Sequence, residues 1–197
     1  PTRFRPPADP DSNRVVKRDI SFPTGHGRLA GLLEAPTSPR GLVLAASLHA
    51  SSHANTIAAA HARQYACLVL HLLTGQEIAF ADNAHNVPLL ADRLLQVLEL
   101  VATDPDTAEL PLAIFAEAAV TPAAVRVAAR RDRQIRCLAC HGGLIDGAGL
   151  QYLEVLSSPV QMLADIEDEV SASSFRRAAT HLAGPWELRR VPSGGIP

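Results

Sequence analysis

Apolar residues follow two rhythms along this chain. In the first they form short, nearly continuous runs with at most one polar residue inside: Leu42 to Ser47, Cys67 to Leu73, Leu112 to Phe115, Ile135 to Cys140 and Pro159 to Ala164. A strand with one wet face alternates apolar and polar positions, so nearly continuous runs predict parallel strands covered by helices on both faces. In the second rhythm apolar positions recur at helical spacing. Val87, Leu90, Ala91, Leu94, Leu98 and Val101 form an i, i+3, i+4, i+7 stripe, which predicts a helix over Val87 to Thr103 packed on a sheet. Asn55 to Tyr65 and Ala172 to Leu182 read as helices too, and Glu187 to Val191 as a last strand. Asp104-Pro105-Asp106 ends the long helix, and Thr121-Pro122 opens another with a capping hydroxyl followed by proline.

Near the start, Val15 to Phe22 and Arg28 to Ala35 flank Gly25-His26-Gly27, which predicts a β-hairpin at the sheet edge. Residues 1–14, with Pro1, Pro6, Pro7 and Pro10 among charges, predict an extended or disordered arm; residues 15–197 then form a single domain. The alternation of strands and helices predicts an α/β fold: a mostly parallel, doubly wound sheet with helices on both faces and an N-terminal hairpin. At 47% apolar residues the chain is rich enough for one buried core.

Charge narrows the function classes. The net charge is −2 and the basic residues are scattered, so no electrostatic footprint for nucleic acid is expected. Of 18 basic residues only Lys17 is lysine, a bias that points to a GC-rich bacterial source. No apolar run is long enough to span a membrane, and Pro1 to Arg14 lacks the layout of a signal peptide, so a cytoplasmic location is the expectation. Cys67, Cys137 and Cys140 each fall in a strand-like run and are expected to be buried, reduced thiols.

Cys137-Leu138-Ala139-Cys140-His141 has the spacing of c-type haem attachment, but on a central strand it reads as structural. His49 and His53, with His61 or His85, have metal-ligand spacing only on a helix, whereas the first two fall on an expected loop; no metal is expected. Glycine-rich phosphate loops are absent, so no nucleotide cofactor is expected.

Leu112-Ala113-Ile114-Phe115 running into Ala116-Glu117-Ala118-Ala119-Val120 and a helix resembles the strand, nucleophile elbow and helix of an α/β-hydrolase. With Gly41-Leu42-Val43-Leu44 and Pro88-Leu89-Leu90-Ala91-Asp92-Arg93-Leu94, the chain resembles the dienelactone-hydrolase-like branch of that family, over about residues 15 to 192. The resemblance implies a G-x-S-x-G elbow, or its Cys form, with the nucleophile at the place of Ala118. Alanine has no atom that attacks, and Val120 stands where a glycine is expected. Glu117 is a carboxylate one residue off the tip. The implied oxyanion loop corresponds to Ser47-Leu48-His49-Ala50, without its glycines. The implied acid corresponds to Asp168 or Glu167, and the implied histidine falls after the last strand, where Pro192 to Pro197 contains none.

The expectation is therefore a pseudoenzyme, a non-catalytic protein binding a small molecule or a partner, with a pocket near Ser47, His49, Glu117, Ala118 and His141, and with a homodimer as one form of assembly. The alternative is a hydrolase of small esters or lactones that uses rearranged acid–base residues. With no nucleophile to present, Ala118 is expected to have an ordinary negative φ.

Overall fold

The computed structural model describes residues 15–25, 27–48 and 53–192. The arm expected at residues 1–14, and His26 and His49, lie outside the described residues. Strands β1 (Val15–Thr24) and β2 (Gly27–Pro36) pair antiparallel as the edge hairpin, with Val15 opposite Pro36 and Thr24 opposite Gly27. Then follow β3 (Leu42–Ser47), α1 (Ala54–His61), β4 (Ala66–His71), α2 (Ala81–Ala84) and α3 (Val87–Thr103). The second half runs β5 (Leu112–Glu117), α4 (Thr121–Arg130), β6 (Ile135–His141), α5 (Leu150–Leu153), β7 (Val160–Asp165), α6 (Glu169–Ala179) and β8 (Trp186–Val191).

The eight strands form one sheet in the order β1-β2-β4-β3-β5-β6-β7-β8. β2 meets β4 antiparallel, and every later pairing is parallel. The ends of the helices follow local chemistry. The Asn86 side chain accepts from Leu89 N–H at 3.1 Å and so caps α3, with Pro88 in the first turn, where its missing N–H costs nothing. Asp168 accepts from Ser171 N–H at 2.9 Å and starts α6 three residues before the apolar pattern suggested. α1 stops at His61, short of the expected Tyr65, because Gln64 takes a left-handed φ of 61° and Tyr65 N–H returns to Ala60 O at 2.9 Å.

The loop after β4 is held by a buried ion pair. Arg93 of α3 donates to Leu72 O and to Glu77 Oε1, while Thr74 N–H donates to Glu77 Oε2 at 2.9 Å. The Arg93 hydrogen bond holds the Glu77 carboxyl down at about 2, against an ordinary 4.5.

The two sheet faces are unequally covered. On one, Leu44, Leu70, Ile114, Leu138 and Met162 pack beneath α3, α4 and α6, whose Leu94, Leu98, Val125 and Phe175 are fully buried. On the other, Ala45, Cys67, Val69 and Phe115 pack with Ala60 of α1 in a small second cluster. Helices thus lie on both faces, as expected, but coverage of the second is partial: among the described residues none of its helices covers β6 and β7. Cys137, expected to be buried, is exposed there, while Cys67 and Cys140 are buried. The apolar run of β6 reported a strand that avoids charge on that face, not one that its own helices bury.

Candidate functional site

Five parallel strands each end on a polar residue at the carboxyl edge of the sheet: β3 on Ser47, β4 on His71, β5 on Glu117, β6 on His141 and β7 on Asp165. This is the edge along which open α/β sheets bind ligands. Register then sets neighbours, since Ser47 stands beside His71 and Glu117 beside His141.

At the centre of this edge β5 turns into α4 through Ala118, with a φ of +47°. That reverses the expectation of an ordinary φ. The reason is packing. Ala116 is fully buried near the end of the strand, and Val120, Thr121 and Pro122 are buried at the start of the helix, so the chain must turn within the three residues between Ala116 and Val120 whatever side chain sits at the tip. The loop after β6 closes over the turn. A Cβ on Gly143 would lie 2.0 Å from Ala118 O, Thr121 Oγ1 donates to Gly142 O at 2.9 Å, and Gly143 N–H donates to Ser171 Oγ at 2.8 Å. A left-handed alanine costs on the order of 1–2 kcal/mol, so the turn is held by its surroundings and presents only a methyl group.

On one side of Ala118 lies a chain of hydrogen-bonding groups. Ser47 Oγ is 3.1 Å from His53 Nε2 and 3.3 Å from His71 Nδ1, and His53 Nδ1 is 3.7 Å from Glu117 Oε2. Ser47 and His53 are each only 5% exposed, while the Glu117 side chain is 28% exposed. An imidazole bonded to a hydroxyl on one nitrogen and facing a carboxylate with the other has the connectivity of a base with its orienting acid. On the other side, His141 Nε2 is 3.0 Å from Asp165 Oδ1. Of the acids considered from sequence, Glu167 is exposed in the loop after β7. Asp168 caps α6, and its hydrogen bonds to Ser171, aided by the charges of Arg190 and His141, hold its carboxyl below the usual range.

The structure therefore brings Ser47, Glu117, Ala118 and His141 to one edge and places Asp168 close to it; His49 lies outside the described residues. His71 and Asp165 had not been singled out, and His53 only as a metal ligand. Their signal was the polar residue closing each apolar run. Among the described residues no three His, Cys, Asp or Glu side chains converge in a way that could hold a metal ion.

No protein-family model matches the chain. It is similar to dienelactone hydrolase from Anabaena variabilis, with 24% identity, a TM-score of 0.80, and coverage of 91% of this chain and 87% of that one. A cold-adapted esterase from an Arctic intertidal metagenomic library aligns at 15% identity with a TM-score of 0.70, over 91% of this chain and 85% of that one. At these identities the likeness is one of fold, and the fold is that of the dienelactone-hydrolase-like branch of the α/β-hydrolases. In sequence the chain is 30% identical over 179 residues to proteins of two Mycobacterium tuberculosis strains, both named "Putative phosphoribosyl transferase". That match covers 88% of this chain and only 40% of the length of those relatives.

Proposed function

We propose that this chain is a hydrolase-fold module that binds a small molecule or a partner along the carboxyl edge of its sheet and does not open esters at its elbow. The observation that carries this reading is Ala118: the turn keeps the left-handed backbone of an elbow and presents a methyl group where chemistry needs an oxygen or sulfur. The transferase name belongs to relatives of which this chain spans 40%, and this segment has a hydrolase fold, so we assign no phosphoribosyl transfer to it.

A second reading has one observation in its favour, the Ser47–His53–Glu117 connectivity, which would make the chain a hydrolase of small esters or lactones with displaced acid–base groups. The two readings separate in a turnover assay with activated aryl esters and dienelactone, run on wild type, Ser47→Ala, Ala118→Ser and Ala118→Cys. The binding reading expects wild type at background. It also expects neither Ala118 variant to reach a kcat of about 1 per second, the low end for enzymes, because a new hydroxyl or thiol needs a base within hydrogen-bond reach, whereas His53 is already bonded to Ser47 and His141 to Asp165, and the Ser47 to Ala50 stretch carries no glycine. Wild-type turnover that disappears in Ser47→Ala would overturn the binding reading in favour of the second.

A further inference from the structure

Strand β8 closes the sheet on one side and, among the described residues, pairs only with β7. Pro185 O and Val191 O accept from Val160 N–H and Ile166 N–H, each at 2.9 Å, and backbone groups in a parallel ladder alternate sides residue by residue. The N–H and C=O groups of Trp186, Leu188 and Arg190 therefore point away from the sheet. Side chains alternate too. Glu187 and Arg189 share one face, where Arg189 Nε donates to Glu187 Oε1 at 2.8 Å. Trp186 and Arg190 share the other face with α6, Trp186 edge-on to Phe175 at 5.5 Å between centroids and Arg190 on Glu169 at 3.0 Å. The opposite edge, β1, carries Lys17 and Pro23, residue types that blunt an edge against further pairing, and Trp186 to Val191 includes neither type. Trp186, the single tryptophan of the chain, is 51% exposed on this edge.

We propose that β8 pairs antiparallel with β8 of a second copy of this chain, in the register centred on Leu188, and so joins two sheets into one. Charge selects this occupant. A two-fold axis through the sheet keeps like faces together, so opposed residues lie an even number apart and the axis passes through a residue. Through Leu188 it sets Glu187 against Arg189 of the second copy, and Arg189 against the second copy's Glu187. These are the non-hydrogen-bonded positions, where Cα atoms approach to about 4.5 Å and side chains interact most closely. The same register sets Trp186 against the second copy's Arg190, an aromatic ring facing a cation. An axis through Glu187 would oppose glutamate to glutamate, and one through Arg189 would oppose arginine to arginine, both unfavourable. The strand is thus complementary to its own reverse in the Leu188 register, as a contact between identical surfaces requires. The outward groups of Trp186, Leu188 and Arg190 then find partners, about two hydrogen bonds for each opposed pair.

The test uses the single indole and a pair of charge variants. Over a dilution series followed by sedimentation velocity, wild type should pass from dimer to monomer. Trp186 emission should move to the red, and acrylamide quenching should rise, over the same concentrations. One added strand pair is a small interface, so the dimer is a weak one. Glu187→Arg places arginines at both charged positions of the register, and Arg189→Glu places glutamates at both. Each variant alone should lose dimer affinity by about tenfold or more, because two opposite-charge pairs become like-charge pairs, while circular dichroism and melting stay near those of wild type. Mixed, the two variants should form a heterodimer of about wild-type affinity, since every opposed pair is again of opposite sign. A wild type that stays monomeric at every concentration, with Trp186 emission unchanged, would overturn the proposal. So would a dimer that both variants form as tightly as wild type, which would place the contact elsewhere, or variants that associate no better mixed than apart.

Discussion

Replacing Gly143 with alanine probes the contact that holds the elbow. Gly143 has a φ of +89°, where L side chains rarely sit, and its added Cβ would lie 2.0 Å from Ala118 O, 2.8 Å from Ala118 C and 3.0 Å from Thr121 Oγ1. The first two are backbone atoms of the turn and cannot swing aside. The loop cannot retreat cheaply either, since the Thr121 hydroxyl holds Gly142 O at 2.9 Å and Ser171 Oγ holds Gly143 N–H at 2.8 Å. Backbone strain of about 1–3 kcal/mol adds to overpacking of about 1–3 kcal/mol, so Gly143→Ala should cost roughly 2–6 kcal/mol, a large share of an ordinary domain's stability. Gly75 is the control, because a Cβ there meets nothing within 4 Å; Gly75→Ala should lie within about 1 kcal/mol of wild type. Urea unfolding followed by circular dichroism gives both values, with an unchanged m-value confirming a common unfolded state. A Gly143→Ala protein within 0.5 kcal/mol of wild type, taking about that margin as the size of an ordinary surface effect, would refute the claim that this loop clamps the elbow.

Two further outcomes are expected. Glu77 has a folded value of about 2 against an ordinary 4.5, so the stability it contributes is fully present above about pH 4.5 and is lost as pH falls toward 2; at about 1.4 kcal/mol per pH unit this amounts to about 3 kcal/mol. Urea midpoints measured from pH 6 to pH 2.5 should fall more steeply for wild type than for Glu77→Gln, and parallel curves would contradict the assignment. Native-state alkylation followed by peptide mapping should modify Cys137 first, because burial pushes the Cys67 and Cys140 thiols up to about 12; equal labelling of the three would contradict the open sheet face.

Much of the fold was legible because periodicity reports local burial. The stripe from Val87 to Val101 placed α3 with its observed bounds, and the two runs around Gly25 and Gly27 placed the hairpin at the edge of the sheet. The extent of helix cover was not legible. Ala113, Cys137 and Ala139 look like core residues in sequence whether a helix of this chain or something else lies over them, since a strand's pattern records only that a face avoids charge. The elbow's φ was misjudged on functional grounds, because strain was assigned to the nucleophile's needs. The clamp that sets it, Gly143 over Ala118, lies 25 residues away in sequence and is brought in by β6. His71 and Asp165 escaped notice for a similar reason: they meet Ser47 and His141 only through strand register.

The most direct test of the central claim is intact-mass spectrometry of the wild-type chain after incubation with a fluorophosphonate, which reacts with an activated serine and traps it covalently. An elbow that offers only the Ala118 methyl, and a Ser47 held in a structural hydrogen-bond chain, predict protein at its unmodified mass under conditions that fully label an active serine esterase. A stoichiometric adduct would contradict the account, and its mapping to Ser47 would show that the acid–base groups along the sheet edge are catalytic after all.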